Sequence, residues 1–443
     1  MQFNSITFLF YFLPVFLLAY YMLPAGWRNV ILVIGSLVFY FFACGQSLWQ
    51  IGIMVGLTLV SFGVGRILIK PRNRWLLALY LAISFGGLMF LKLYHGGAYL
   101  PAGMSFYLFQ IAAYLVDVKR EKLAPERNVL AYGAKTVMFP KLLSGPLIAP
   151  AVLNRQEAEW DHPSAQRTRG LQELILGLGL KVLLADRLGG LWSQAAVIGY
   201  ESISVPFAWM SLCAYAMRLY FDFWGYSLMA IGLGRMLGFD FPKNFDDPYA
   251  SRSVSEFYRR WHITLGRWFR EYVYIPLGGN RKGSLRTIVN LGVVWLFTGI
   301  WHGVGSNYLL WAGFLFLLII NEKIWLGKLL KKLPVVSHLY TVAAILISWI
   351  PFAIGDFQQM IVFAGRLIGQ CGHTLNGMDF VIWGKSYAVY LIAGLVLATP
   401  FPGNLWRKIR KKPVANVLLF CLFWVIVYCI ATAEQSPFLY FSF

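Results

Sequence analysis

Apolar runs close to bilayer length recur from one end of this chain to the other, and few folds can accommodate that. About 18 or more apolar residues in a row span the hydrocarbon core as a helix. Runs of this kind, some a little shorter, cover 6–23, 29–43, 48–69, 75–94, 104–116, 171–188, 205–221, 307–326, 339–354, 387–399 and 414–431. With 58% hydrophobic residues against 13% charged, the chain carries more apolar sequence than a soluble core needs. The short alternating segments of a membrane β-barrel are absent. The expected class is an all-α polytopic membrane protein of about 11 to 13 spans. No fixed repeat, low-complexity tract or linker divides the chain, so a single domain over residues 1–443 is expected.

A net charge of +20 raises the question of nucleic acid. The cations, however, gather in short loops between apolar runs, as the positive-inside bias requires, and no soluble basic domain is present. The clusters are Lys70, Arg72 and Arg74; Lys119, Arg120, Lys122 and Arg127; Lys328, Lys331 and Lys332; and RKIRKK at 407–412. Placing them in the cytoplasm puts both termini on the extracytoplasmic side of a cell membrane. The first apolar run has no basic residues before it and no small-residue cleavage pattern, so it reads as a span rather than a signal peptide. The five cysteines are scattered. Cys421 and Cys429, about 12 Å apart along one helix, are too distant for a disulfide. No Cys/His spacing suggests a metal.

Chemistry concentrates between Ser251 and Gly303. Phe257, Trp261, Leu265, Trp268 and Tyr272 recur at helical spacing, with Arg259, Arg260, Arg267 and Arg270 mostly off that stripe. Two readings fit: a basic amphipathic helix lying at the inner membrane surface, or a docking site for a phosphorylated cytosolic donor such as coenzyme A, whose phosphates suit the guanidinium fork. No Walker loop or dinucleotide fingerprint occurs.

His302 closes an almost unbroken apolar run. Sixteen residue steps from Arg286 to His302 rise about 24 Å, which places the imidazole at mid-depth or in the outer half of the bilayer. Ionisable groups at such depth point to function, although an imidazole bonded to a neighbouring carbonyl for packing fits as well. An uncharged imidazole can take a proton from a hydroxyl. His262, beside Arg259 and Arg260, suits a structural or a catalytic role. Asp222 sits among aromatics with Arg218 four residues earlier, either as a helix-face ion pair or as a polar group lining a cavity. The stretch LAYGAKTVMFPKLLSGPLIAP (130–150) is too broken for a simple span. It reads either as a re-entrant piece near a substrate path or as an amphipathic loop. Tyr440, in an aromatic tail with Phe438, Phe441 and Phe443, serves as an interfacial anchor or as an acyl relay.

Taken together, FNSITFLFYFLPVFLLAYYML, PAGMSFYLFQIAAYLVDV, FPKLLSGPLI, AIGLGRMLGFDFPKNFDDPY, EFYRRWHITLGRWFREYVYIPLGGNR, GIWHG and PFLYFSF resemble the membrane-bound O-acyltransferase (MBOAT) family nearly end to end. The likeness is to its alginate O-acetyltransferase (AlgI-like) branch more than to its D-alanyl-transferring (DltB-like) branch. The resemblance implies a ring of membrane helices with re-entrant pieces around a central tunnel, the family's membrane histidine at His302 and its second histidine motif at His262. It implies acetyl-CoA as co-substrate, with no bound cofactor and no metal. It further implies an exported polysaccharide as acceptor and an extracytoplasmic SGNH-type partner. On this reading Arg259, Arg260, Trp261 and Arg267 bind the donor, and Asp222, Trp301 and Tyr440 lie on the tunnel or acceptor side. Alternatives are D-alanyl transfer from a carrier protein to teichoic acid, or a transporter of acylated lipid or glycan with His302 as proton relay. Trp224 and Leu228 depart from the family pattern near Asp222 and bear on which acceptor is used.

Overall fold

The computed structural model describes residues 1–68, 73–158, 164–370, 377–432 and 438–439, and every regular element among them is a helix. Tyr440, Phe441 and Phe443, the loop cations Lys70 and Arg72, and residues 159–163 lie outside the described residues. The chain divides into two compact units.

The first unit holds Met1–Leu178, Tyr226–Lys243 and the described residues from Trp424 on. Its helices are α1 (Leu13–Met22), α2 (Arg28–Ala43), α3 (Leu48–Ile67), α4 (Arg74–Leu93), α5 (Met104–Lys119), α6 (Val129–Val137), α7 (Phe139–Leu142), α8 (Pro150–Ala158) and nearly all of α9 (Ser164–Gly179). Rings of Phe3, Phe8, Phe16, Phe39 and Phe139 form one core, with Tyr226 stacked on Phe3 at 5.1 Å. Gly35 makes room for that core, since a Cβ there would collide with the Phe16 ring.

Helix α5 is buried along almost its whole length, including Gln110 and Asp117, so its apolar run faces protein rather than lipid. The broken stretch 130–150 packs inside this unit and is buried nearly throughout, the setting in which irregular backbone is tolerated at depth. The Asn128 side chain caps α6 by accepting from the backbone of Leu130 and Ala131. Met138 breaks the helix, and Pro140 opens α7 within its first turn. Gly103 (φ +68°) turns the chain against the Leu142 carbonyl, where a Cβ would stand 2.6 Å away. Lys141 is buried, and its Nζ donates to the Thr136 carbonyl at 3.2 Å.

Helix α9 meets the end of α11 (Val205–Met236) through two glycines. A Cβ on Gly170 would stand 2.5 Å from the Gly232 carbonyl oxygen, and one on Gly232 would stand 2.8 Å from the Leu174 nitrogen. Such contacts let two backbones touch, and Arg235 ties the crossing by pairing with Glu173 and with Asp240 at 2.7 Å. Gly232→Leu is therefore expected to force the helices apart at a cost of about 1–3 kcal/mol, read as a lowered unfolding temperature in detergent. An unchanged unfolding temperature would show that the crossing gives way freely.

The second unit holds Gly179–Gly225 and Asn244–Phe423. It contains α10 (Asp186–Ile198), most of α11, α12 (Val254–Arg260), α13 (Ile263–Phe269), α14 (Ser284–His302), α15 (Ser306–Asn321), α16 (Gly327–Leu330), α17 (Pro334–Ala353), α18 (Phe357–Leu367), α19 (Asp379–Leu397), α20 (Pro400–Ile409) and the first half of α21 (Pro413–Thr432). Gly299 lets α14 and α15 approach, because a Cβ there would lie 2.9 Å from that of Ala312.

Among the described residues, eight helical segments are long and apolar enough to cross a membrane: Ala25–Ala43, α3, α4, α14, Ser306–Leu330, α17, α19 and α21. Thr7–Met22 is a shorter apolar helix. The further runs at 104–116, 171–188 and 205–221 fall on α5, on a helix of mixed polarity interrupted by a π turn at Leu180–Ala185, and on α11, which carries Arg218, Asp222 and Arg235. The protein is a multi-pass, all-helical membrane protein.

Candidate active site

The second unit carries two histidines on either side of one tryptophan. Trp301 lies 4.5 Å, ring centroid to centroid, from His302 and 6.2 Å from His262. His302 is the last residue of α14 and is 4% exposed. Its imidazole is met edge-on by Trp311 of α15 at 5.0 Å and by Phe352 of α17 at 5.1 Å. The helix stops here because Gly303 adopts an extended backbone packed against Tyr308, where any larger residue would collide.

His262 stands at the turn between α12 and α13 with φ +47° and ψ +52°, a left-handed conformation that costs a non-glycine residue energy. Asn244 holds it there. The Asn244 backbone carbonyl accepts from the Ile263 N–H at 2.9 Å, and its Oδ1 accepts from the Thr264 N–H at 3.2 Å and the Thr264 hydroxyl at 2.9 Å. The same Oδ1 lies 3.2 Å from His262 Nδ1. Because Oδ1 is fixed as an acceptor by the Thr264 N–H, the imidazole donates from Nδ1 and carries its lone pair on Nε2. Phe223 meets the ring edge-on at 4.6 Å. Burial pushes this imidazole down to about 3, so it is uncharged at neutral pH.

Beside this pair a cleft of about 1010 Å³ opens between α12, α13, α14 and the α15–α17 connection. Six cations line it: Arg252, Arg259, Arg267, Arg270, Lys323 and Lys331. Two carboxylates line it as well, and both are occupied. Glu322 accepts from the backbone N–H groups of Val254 and Ser255 and from the Ser255 hydroxyl, and Glu256 pairs with Arg260 at 2.7 Å. The cleft therefore offers strong positive charge to an anion.

The lining also includes aromatic rings. Tyr258 and Trp295 line it and touch edge-on at 4.9 Å. Trp295 meets Trp311 at 5.9 Å, and Trp311 meets His302. Trp295 and His302 are seven residues apart on α14, about two turns along one helix face. His302 itself is not among the residues lining the cleft.

Of the arginines singled out in the sequence, Arg259 and Arg267 line the cleft, whereas Arg260 turns to Glu256. Trp261 is buried in the aromatic core, stacked on Phe257 at 5.5 Å and against Trp349 at 5.3 Å. Asp222 is 2% exposed and bound by Lys181 Nζ at 2.6 Å, and Lys181 also reaches Asp186 at 2.8 Å. Arg218 lies across Gly189, where a Cβ would stand 2.8 Å from its Nε. Trp224 stacks on Tyr220 at 5.2 Å. Sequence reasoning passed over Lys181, although a lysine inside LGLGLKVLLA is the kind of intramembrane charge that marks a site. It also passed over Asn244, Trp311 and Phe352, which only the tertiary fold brings to the histidines.

Comparison with known proteins bears on this arrangement. The family model described as "MBOAT, membrane-bound O-acyltransferase family" matches residues 129–350, which include both histidines and the cleft. The chain is 31% identical to the probable alginate O-acetylase AlgI of Pseudomonas putida over 100% of both chains. It is 28% identical to the peptidoglycan O-acetyltransferase of Helicobacter pylori over 88% of this chain and 83% of that one. It is 30% identical to the teichoic acid D-alanyltransferase of Bacillus subtilis over 47% of this chain and 55% of that one.

Proposed function

The chain belongs to the membrane-bound O-acyltransferase family, and on that premise we propose that it is an O-acetyltransferase taking acetyl groups from cytosolic acetyl-CoA to hydroxyls of an exported polysaccharide. The observation that carries this reading is the cationic cleft beside the helix that ends in His302. Coenzyme A is a polyanion on a long flexible arm. Its phosphates suit Arg252, Arg259, Arg267 and Arg270, and its thioester end is directed along Tyr258, Trp295 and Trp311 toward the imidazole. A turn of the Trp295 or Trp311 ring opens the last part of that route.

At the imidazole, His302 takes the proton of the acceptor hydroxyl. The oxygen attacks the acetyl carbonyl carbon, the C–S bond breaks, and the imidazolium returns the proton to the departing thiolate. An ester and coenzyme A result. His262, uncharged and fixed by Asn244, keeps Trp301 in place against His302. On this proposal the cleft faces the cytoplasm of a cell membrane, both termini lie outside, and an extracytoplasmic SGNH-type partner is available to complete transfer to the glycan. Relatives named for alginate and for peptidoglycan acetylation support a polysaccharide acceptor.

Steady-state kinetics on the purified protein test the donor. Arg259→Gln with Arg267→Gln removes two charge-assisted contacts, so KM for acetyl-CoA is expected to rise by about tenfold or more while kcat changes little. Raised salt should weaken the parent in the same direction. A protein that ignores acetyl-CoA and accepts D-alanyl groups from a carrier protein would displace this reading in favour of the teichoic acid branch.

A further inference from the structure

We propose that α20 and the basic turn after it form a binding surface for anionic phospholipid headgroups. The inference rests on the placement and chemistry of this one segment and is independent of the reaction proposed above. Helix α20 connects α19 and α21, which have 19 and 20 residues and are both apolar enough to cross a membrane. Only Ala398 and Thr399 separate it from α19, and only Arg410, Lys411 and Lys412 from α21. A helix tethered so closely to two spans lies at the membrane boundary.

No residue of α20 is buried within the protein. Phe401 is 66% exposed and Leu405 is 47% exposed. They share one face with Ile409, at i, i+4 and i+8, and Trp406 flanks it. Arg407 lies on the opposite arc and reaches Asn404, while Lys408, seven residues after Phe401, stands at the margin of the apolar face. Arg410, Lys411 and Lys412 extend the charge into the turn, and no acidic residue occurs from Pro400 to Lys412. An apolar face with cations opposite it and at its margin is the pattern of a helix lying in the plane of the interface, with its rings among acyl chains and its cations among phosphates. Zwitterionic lipid would cover the apolar face equally well. The excess of cations over carboxylates in this segment is what selects an anionic headgroup. An acidic soluble protein could meet the charge but would leave Phe401 and Leu405 in water.

The full-length protein, reconstituted in vesicles holding equal amounts of phosphatidylglycerol and phosphatidylcholine, provides the test. After mild extraction, retained lipid is counted by native mass spectrometry. The parent should retain phosphatidylglycerol several-fold over phosphatidylcholine, less so as salt rises. Replacing Arg407, Lys408, Arg410, Lys411 and Lys412 with Gln should abolish the preference, whereas Arg407→Lys with Arg410→Lys should keep it. A parent without preference, or a Gln variant with the parent's preference, overturns the proposal. Should the Gln variant fail to purify, the parent's salt series decides, because a preference indifferent to salt contradicts a charge-selected headgroup.

Discussion

His302→Ala should lower acetyl transfer by about 10²–10⁴, the range that a positioned general base contributes, while the variant folds and still binds acetyl-CoA. The separation of effects follows from geometry. The imidazole stands at the end of α14 behind Trp311, away from the residues lining the cationic cleft. On the proposed reaction, removing it leaves the donor's phosphate contacts in place and takes away the group that would accept the hydroxyl proton. His302→Gln keeps much of the volume against Trp301, Trp311 and Phe352 and should be as inactive. Substrate turnover by either variant at the parent's rate would remove His302 from the chemistry and leave it a packing residue.

Lys181→Ala should cost about 3–5 kcal/mol of stability, the penalty for breaking a buried ion pair from one side. Lys181 is 1% exposed in its side chain and holds both Asp222 and Asp186, so its loss leaves two carboxylates close together without their shared cation. The paired change Lys181→Met with Asp222→Leu removes the buried carboxylate along with the cation, leaves the part-exposed Asp186, and should recover part of the loss. Thermal unfolding of detergent-solubilised protein checks both. A single variant as stable as the parent would mean that water reaches this pair. Activity adds a second readout. If Asp222 serves only to hold α11 against the π turn at Leu180–Ala185, the stable double variant should keep its kcat.

How much of this was legible beforehand differs from residue to residue. The membrane class followed from runs such as 414–431, because hydrocarbon demands apolar side chains on every face and sequence records that directly. The burial of α5 and of 130–150 was not legible. A helix surrounded by protein and one surrounded by lipid are equally apolar, and only packing separates them. His302 stood out because a lone ionisable group in an apolar run has few innocuous explanations. The split between Arg259 and Arg260, adjacent in sequence, was hidden. One lines the cleft and the other is drawn to Glu256 four residues earlier, a choice set by helix rotation. Asn244, eighteen positions before His262, carries no local mark of its role, since the left-handed turn it secures exists only in the folded chain.

Sealed vesicles of known orientation offer the most direct test of the central claim. Protein reconstituted with its cleft facing outward is given acetyl-labelled acetyl-CoA in the bath and an oligosaccharide acceptor enclosed in the lumen. The account predicts labelled ester inside, free coenzyme A outside, and neither with His302→Ala. Label that stays on acetyl-CoA while the parent is intact, or labelled ester made equally well by the His302 variant, would contradict it.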